Sequence, residues 1–198
     1  MMSLRLTSGR FKGRVLQVPK GEGVRPTTAR VRQSVFAMLQ AYLPQARCLD
    51  VFAGSGVMGL EALSYGASYV LAFEKDKQHA QCLTHTLQQL GLGAKEYQLI
   101  QRDAIALLRE GNKQEPYDWV YCDPPYGFTQ WPVLIQDLVK KGWLASHGVL
   151  LIEHAPKDAL PVWSDYGLTL WRYERYGDTH VQLLTFAETQ ASRVEDAT

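Results

Sequence analysis

The 198-residue sequence predicts an α/β fold built on a mostly parallel, seven-stranded sheet with a terminal antiparallel hairpin and a small basic N-terminal extension. Three observations support this prediction. From residue 47 onward, short apolar runs alternate with helical patterns, as in a parallel sheet covered by helices. The first apolar run ends in a glycine-rich loop over 54–59 that leads into a helix-forming segment. Near the end, two extended runs flank Gly177-Asp178, a dipeptide typical of hairpin turns.

The N-terminal extension combines an extended arm with one helix. Residues 14–18 form a short run of polar and apolar side chains bounded by Gly13 and Pro19, which predicts a small β-hairpin or an extended arm. A helix is expected to begin within residues 25–28, with a threonine as its N-cap. Apolar residues then recur at helical spacing and leave Arg30 and Arg32 off the packed face. These apolar residues are Val31, Val35, Met38, Leu39 and Tyr42.

The remaining elements alternate between strand and helix. Strands are predicted over 48–51, 69–73, 97–100, 119–122 and 148–152, and helices over 57–65, 76–90, 104–109 and 131–140. The runs 168–176 and 181–186 form the terminal hairpin. We expect residues 1–44 to be a basic arm and helix packed on a domain over 45–186, and residues 187–198 to be a disordered tail.

The composition is that of a globular protein, with 46% hydrophobic and 21% charged residues. No apolar run reaches the ~18 residues of a membrane span, and the first residues contain no apolar stretch long enough for a signal peptide. The three cysteines are odd in number and widely spaced, which favours reduced core residues in a cytoplasmic protein over disulfides or zinc ligands. The five histidines form no convincing ligand set, so we expect no metal.

Charge is distributed unevenly along the chain. Residues 1–40 carry eight basic side chains and one acidic side chain, whereas the remaining residues carry 13 basic and 19 acidic ones. A basic arm on an acidic body is typical of a surface that contacts a phosphate backbone. An ordinary solvated surface that happens to be basic is an equally good interpretation of composition alone.

The glycine loop has the features of a cofactor site. Gly54 and Gly56 lack a Cβ, so the chain can turn sharply and a ligand can approach the backbone N–H groups. Because ligands bind at the carboxyl ends of parallel strands, acidic residues at those ends are candidate ligand-binding groups. Four such residues stand at or just after the first four strands, namely Asp50, Glu74, Asp103 and Asp123. Glu74 follows Gly54 by 20 residues, a spacing typical of an acid that binds a ribose diol.

A dinucleotide is an alternative ligand for this loop. The spacing Gly54-x-Gly56-x-x-Gly59 matches the fingerprint of dinucleotide-binding proteins, which leaves an NAD(P)-dependent oxidoreductase open. Asp50 and Asp103 would place negative charge near a pyrophosphate, whereas a ligand with a cationic or amino-acid portion suits this edge better. The segment after the fourth strand also points to different chemistry.

That segment is Asp123-Pro124-Pro125-Tyr126. On its own it is typical of a turn that ends a strand, with the aspartate capping the turn and the prolines stopping the strand. Its position at the ligand-binding edge favours a second interpretation. Because the prolines fix the backbone, the Asp123 carboxylate and the Pro124 carbonyl can act as adjacent acceptors for a planar amino group. Tyr126 offers a ring on which a base can stack.

These residues carry a resemblance to known enzymes. The pattern Asp50-x-Phe52-x-Gly54-Ser55-Gly56, Glu74 and the Asp123 segment resemble the motifs of S-adenosylmethionine-dependent amino-methyltransferases. Over about residues 8–186, the chain more closely resembles the bacterial 16S ribosomal RNA guanine-N2 methyltransferases of the RsmD type. The closer resemblance rests on the run 54–67 and on the arm Val24-Arg25-Pro26-Thr27-Thr28-x-Arg30-Val31-Arg32.

The resemblance implies a Rossmann-like class I methyltransferase fold and S-adenosylmethionine as the cofactor. It implies a cofactor site made of Asp50, Phe52, Gly54, Ser55, Gly56, Glu74, Lys75, Asp103 and Ala104. The expected catalytic residues are Asp123, Pro124 and Tyr126, which would receive the N2 amino group of guanine 966. The residues expected to contact RNA phosphates, or to fold over the cofactor, are Arg10, Lys12, Arg14, Arg25, Arg30 and Arg32. The partner is then 16S rRNA or a small-subunit ribosomal particle, bound by a monomer.

Other functions stay open at this point. Adenine-N6 DNA or RNA methyltransferases and protein-glutamine methyltransferases often carry asparagine where this chain has Asp123. A chain of 198 residues also leaves little room for a separate DNA-recognition domain. The NAD(P)-dependent oxidoreductase and a non-catalytic RNA-binding module are more remote alternatives, and the intact glycine loop argues against the second.

Overall fold

The computed structural model describes residues 2–19 and 29–189 and has two compact units, Met1–Ala104 and Ile105–Thr198, called unit 1 and unit 2 below. The predicted arm boundary at residue 44 and the predicted disorder of the tail stay predictions. Residues 187–189 form a helical turn, and the rest of the tail lies outside the described residues. In the described part of the chain, no helix combines the length and apolar character that crossing a membrane requires.

Unit 1 begins with two short antiparallel strands, β1 (Met2–Arg5) and β2 (Val15–Val18), in which Met2 stands opposite Val18. Strand β2 confirms the extended run predicted over 14–18. The antiparallel pair agrees with the β-hairpin alternative. The position of β1 is not in the prediction, because four residues at a chain end carry too little periodicity to indicate a strand. The segment between the strands is closed by backbone hydrogen bonds, including Leu6 N to Arg14 O at 3.0 Å.

The helix that follows, α1 (Ala29–Leu39), buries residues at helical spacing, among them Val31, Val35, Phe36 and Leu39. The predicted start of this helix within residues 25–28 lies outside the described residues. Tyr42, which the sequence placed on the packed face, is 44% exposed and lies beyond the helix. The helical stripe is thus confirmed over its first part only.

The rest of unit 1 alternates strand and helix as predicted. Its elements are β3 (Arg47–Asp50), α2 (Val57–Ser64), β4 (Tyr69–Phe73), α3 (Lys77–Gln89) and β5 (Tyr97–Ile100). The three strands are parallel, and their carboxyl ends are aligned, since Asp50 stands opposite Ala72 and Phe73 opposite Ile100. Every predicted boundary of these elements lies within one residue of the observed one.

Unit 2 contains most of α4 (Ala104–Glu110), followed by β6 (Tyr117–Cys122), α5 (Trp131–Lys140), β7 (Leu144–His154), β8 (Leu168–Tyr176) and β9 (Thr179–Phe186). Strands β6 and β7 are parallel, and β9 runs antiparallel to both β7 and β8. The terminal hairpin is therefore confirmed. Strand β7 is longer than the predicted 148–152, and a register shift between Tyr117 and Trp119 lets the first part of β6 pair with it.

The sheet contains seven strands in the order β5-β4-β3-β6-β7-β9-β8, which confirms the predicted α/β class and strand count. Each unit has an apolar core of its own. Leu49, Val70 and Phe73 are buried in unit 1, and Trp131 and Leu138 on α5 are buried in unit 2. Removing such side chains from water is the main favourable term in folding, at about 25 cal/mol per Å² of apolar surface.

Candidate functional site

The glycine loop of unit 1 joins β3 to α2 over residues 51–56. Gly54 and Gly56 have φ angles of 52° and 71°, which other residues rarely adopt. A Cβ on Gly56 would lie 2.3 Å from Cδ1 of Leu83 on α3, so packing also requires glycine at this position. A Cβ on Gly54 would meet no described atom within 4 Å. The loop is therefore fixed against α3 and leaves open space beside Gly54.

Glu74, which follows β4, is tied to this loop by hydrogen bonds. Its Oε2 accepts from the backbone N–H of Gly54 at 2.7 Å, and its Oε1 accepts from the N–H of Asp76 at 2.6 Å. The spacing of 20 residues between Gly54 and Glu74 thus corresponds to a direct contact. Each carboxylate oxygen keeps a further lone pair that can accept a hydrogen bond from a ligand.

The third glycine of the fingerprint has a packing role. A Cβ on Gly59 in α2 would stand 2.8 Å from both the Tyr97 hydroxyl oxygen and Cγ1 of Val70. Glycine is needed here because the helix lies so close to β4 and β5. Burial, and then the negative charge of Asp50, raise the pKa of the Tyr97 hydroxyl well above its ordinary value. Asp50 itself is 1% exposed at the end of β3.

The other predicted cofactor residues of unit 1 occupy different environments. Ser55 accepts a hydrogen bond through its Oγ from the N–H of Val57, the first residue of α2, at 3.3 Å. Lys75 and Asp103 are exposed, Phe52 is half-buried, and Ala104 is buried at the start of α4. The structure brings Gly54 and Glu74 into contact, and the cofactor roles of all these residues stay predictions.

The basic arm presents several cations on the surface of unit 1. Lys12, Arg14 and Arg30 are exposed, as the sequence predicts. Arg10 is exposed as well and forms an ion pair with Glu96 at 2.7 Å. Exposed pairs of this kind contribute little free energy, about 0–1 kcal/mol, so Arg10 can exchange this partner for another anion. Arg25 lies outside the described residues.

Arg32 corrects the sequence prediction. The sequence places this arginine away from the packed face of α1, but it is 1% exposed and pairs with the buried Glu61 of α2, with Nε 3.4 Å from Oε1. Its guanidinium also donates to the backbone oxygen of Arg5 at 2.9 Å, and Oε1 of Glu61 accepts from the N–H of Thr7 at 2.9 Å. The segment that follows β1 therefore covers Arg32, and the arginine serves the fold.

In unit 2, the Asp123 segment forms a turn directly after β6. Phe128 N–H donates to the carbonyl oxygen of Pro125 at 3.2 Å, and Gly127 has a φ of 75° that lets the chain reverse. Tyr126 lies within this turn and is 63% exposed, unusual for an aromatic side chain. Asp123 is half-buried, and its Oδ2 lies 3.4 Å from the hydroxyl of Tyr121.

Over 2–19 and 29–189, no three histidine, cysteine, aspartate or glutamate side chains are grouped as a metal ion would require. His147 instead pairs with Asp118 at 2.6 Å, and Nδ1 of His180 is hydrogen-bonded to the Tyr173 hydroxyl at 2.7 Å.

Comparison with known proteins identifies the family. A family model described as "Conserved hypothetical protein 95" matches residues 4–185. The chain is 36% identical over 150 residues to ribosomal RNA small subunit methyltransferase D of Haemophilus influenzae, covering 76% of this chain and 78% of that relative. It is also 36% identical to the protein of the same name from Escherichia coli, covering 80% and 78% of the two chains. The chain belongs to the RsmD-type family of small-subunit rRNA methyltransferases.

The solved structures agree with this assignment. The structure of yhhF from Escherichia coli matches with a TM-score of 0.80 at 33% identity, over 92% of this chain and 97% of that one. The Rossmann-like methyltransferase fold that the sequence predicts is therefore confirmed.

Two residues of this family member beside the Asp123 turn are absent from the sequence-based predictions. The Tyr121 hydroxyl donates to Oε1 of Glu153 on β7 at 2.8 Å, and both side chains are buried. Glu153 follows the apolar run 149–152 directly, and an acid in such a position is a weak signal that sequence alone offers. The pairing itself depends on the β6–β7 register, which no local pattern fixes.

Proposed function

We propose that this chain transfers a methyl group from S-adenosylmethionine to the exocyclic N2 amino group of guanine 966 in 16S rRNA. The proposal refines the activity of the family to which the chain belongs. The observation that supports it most is the turn after β6, in which Asp123 and Pro124 precede a tyrosine that is 63% exposed. Such a turn offers acceptors for an amino group next to a ring on which a base can stack.

The cofactor residues belong to unit 1. When bound, S-adenosylmethionine supplies an activated methyl group on a sulfonium, so the protein mainly has to bind and orient its reactants. The open space beside Gly54 and the carboxylate of Glu74 fit such a ligand, because the loop offers backbone N–H groups and Glu74 offers acceptors for a ribose diol. We assign Asp50 to the cationic end of the ligand. The remaining members of the proposed site are Phe52, Ser55, Gly56, Lys75, Asp103 and Ala104.

Asp123, Pro124 and Tyr126 are the proposed catalytic residues. The amino nitrogen of guanine is a poor nucleophile because its lone pair is delocalised into the ring. Hydrogen bonds from its two protons to the Asp123 carboxylate and the Pro124 carbonyl favour a pyramidal nitrogen whose lone pair is free to attack the methyl group. Tyr126 stacks on the base, which must be flipped out of its surroundings to reach these acceptors.

The arm supplies the contacts to the rest of the RNA. Arg10, Lys12, Arg14 and Arg30 are exposed cations on one short segment of unit 1 and its helix α1, and phosphates are the matching anions. Arg25 belongs to the same proposed set by its sequence position. The substrate is 16S rRNA, either free or within a small-subunit particle.

A transfer assay tests this proposal. The purified chain is incubated with S-adenosylmethionine labelled in its methyl group and with free 16S rRNA, small-subunit particles that lack the modification, or duplex DNA. The labelled product is then digested to nucleosides and identified by mass spectrometry. We expect N2-methylguanosine from at least one of the two RNA substrates. Labelled N6-methyladenosine, or label transferred to DNA or protein only, would contradict the proposal.

A further inference from the structure

A buried chain of three side chains lies behind the Asp123 turn in unit 2. Tyr121 on β6 is 2% exposed, and Glu153 on β7 is 4% exposed. The Tyr121 hydroxyl lies 2.8 Å from Oε1 of Glu153 and 3.4 Å from Oδ2 of Asp123. The β-ladder explains this meeting, because Tyr121 stands opposite Leu151 and Glu153 follows two residues later on the same face of the sheet.

The Tyr121 hydroxyl has one proton, and the residue to which it donates that proton decides whether it can accept a hydrogen bond from Asp123. A distance of 2.8 Å is normal for an O–H···O hydrogen bond, whereas 3.4 Å is beyond its usual range, so the proton of Tyr121 belongs to the bond with Glu153. Tyr121 then turns a lone pair toward Asp123. An ionised Asp123 gains little from that lone pair, but a protonated Asp123 can donate a hydrogen bond to it. Tyr121 can therefore receive a proton from Asp123 while it passes its own proton to Glu153.

Resting on the proposed amino-methylation, we infer that Tyr121 and Glu153 are positioning residues that take up the proton which Asp123 removes from the amino nitrogen. The nitrogen lone pair forms the new N–C bond while the C–S bond breaks and leaves its electron pair on sulfur. One N–H bond breaks as the N–C bond forms, and its proton moves to Oδ2 of Asp123.

A positive charge is then passed inward by a relay of two protons, with no net change at Asp123 or Tyr121. Asp123 gives a proton to the Tyr121 oxygen as the phenolic proton of Tyr121 moves to Oε1 of Glu153. The methylated nitrogen ends neutral, Asp123 and Tyr121 return to their starting forms, and Glu153 holds the proton until it passes back through Tyr121 and half-buried Asp123 to solvent after the product leaves. The burial of Tyr121 and Glu153 keeps water from competing for these hydrogen bonds.

Two nearly isosteric variants separate this role from a structural one. Tyr121→Phe removes the hydroxyl but keeps the ring, which stacks on Trp119 with centroids 5.9 Å apart. Glu153→Gln keeps an oxygen that can accept from Tyr121 but cannot take up a proton. Tyr117→Phe is the matched control, because it removes the hydroxyl of another buried tyrosine on the same strand.

We expect Tyr121→Phe and Glu153→Gln each to lower the single-turnover rate by roughly ten-fold or more. The KM for RNA and the cofactor Kd measured by calorimetry should stay within about two-fold of wild type, because neither residue touches a ligand. The double variant should be no slower than the slower single variant, since both changes interrupt one chain. Tyr117→Phe should react at the wild-type rate.

Wild-type turnover by Glu153→Gln would overturn the inference. So would a double variant whose rate loss equals the product of the two single-variant losses, because the two residues would then act independently. If Glu153→Gln does not fold, as judged by its thermal transition, Tyr121→Phe alone decides, and a wild-type rate in that variant overturns the inference. Failure of the proposed function is seen separately, because the wild-type chain would then form no N2-methylguanosine at all.

Discussion

Glu74 in unit 1 and Glu153 in unit 2 are held by different kinds of donor. In unit 1, Glu61 and Glu74 accept hydrogen bonds from backbone N–H groups, those of Thr7 and Gly54 among them. In unit 2, Glu153 accepts its hydrogen bond from the phenolic hydroxyl of Tyr121, whose oxygen also faces Asp123. A backbone amide keeps its proton at any ordinary pH, whereas a phenol can pass its proton on while receiving another.

This difference separates binding from proton transfer. A carboxylate fixed by amides has a set position and charge, which suits a residue that binds a ligand or joins two parts of the fold. A carboxylate linked to a hydroxyl suits a residue that gains and loses a proton during each turnover. The contrast predicts that substitutions in unit 1 change affinity or stability, and that substitutions at Asp123 change the rate of the chemical step.

The largest effect expected is at Asp123. Asp123→Ala removes an acceptor for the amino group and the first group to take its proton, so we expect kcat to fall by about 10³-fold or more. Cofactor affinity, measured by calorimetry, should be unchanged. Asp118→Ala, on the same strand but paired with His147, is the control and should retain activity. Normal turnover by Asp123→Ala would contradict the assignment of the chemical step to unit 2.

The next largest effect is on stability and concerns the two arginines of α1. Arg32→Ala leaves the fully buried Glu61 without its ion-pair partner and should lower the free energy of unfolding by about 3 kcal/mol. Arg30→Ala, two residues earlier and exposed, should change it by less than about 0.5 kcal/mol. Urea denaturation followed by circular dichroism measures both values. Equal stability of the two variants would contradict the structural role of Arg32.

Substitution of Glu74 tests whether a carboxylate held by backbone N–H groups affects cofactor binding and not the chemical step. Glu74→Ala removes the acceptor of the Gly54 and Asp76 N–H groups together with the proposed partner of the ribose diol. We expect the cofactor Kd to rise by roughly 30-fold, about 2 kcal/mol, while kcat at saturating cofactor changes little. Glu96→Ala, a surface acid of the same unit, should bind the cofactor like wild type. A large loss of kcat without a change in Kd would place Glu74 in the chemistry instead.

The smallest effect concerns RNA affinity. Arg30→Ala should weaken RNA binding and reduce the slope of log affinity against log salt concentration by about one charge, because one phosphate contact is lost. Gln33→Ala, at an exposed uncharged position of the same helix, should leave the slope unchanged. Fluorescence anisotropy over a salt series measures both slopes. An unchanged slope in Arg30→Ala would remove this arginine from the RNA surface.

The elements that the sequence predicts well are those with a local signal. The strands of the main sheet are apolar runs bounded by turn residues, and the loop at Gly54 and Gly56 is marked by residues whose φ angles only glycine adopts easily. The sequence also indicates that Gly54 and Glu74 lie close together, because parallel strands align their carboxyl ends. Such features are set within one or two adjacent elements.

The features that the sequence does not predict depend on distant partners. Arg32 lies four residues before Phe36, on a face that only becomes buried when β1 and the segment after it cover the helix. Its partner Glu61 is 29 residues away, and no pattern around either residue indicates the pair. The bond between Tyr121 and Glu153 likewise follows from the register of β6 and β7. Charged residues are mostly solvated, so sequence reasoning places Arg32 on the surface by default.

The most direct test of the account uses cells from which the gene has been deleted. Small-subunit rRNA from these cells is digested, and the nucleotides are mapped by mass spectrometry before and after the gene is returned on a plasmid. We predict that the N2-methyl group is missing from guanine 966 in the deletion strain, restored by the wild-type gene and not restored by the gene carrying Asp123→Ala. A methylated guanine in the deletion strain, or its restoration by Asp123→Ala, would contradict the account.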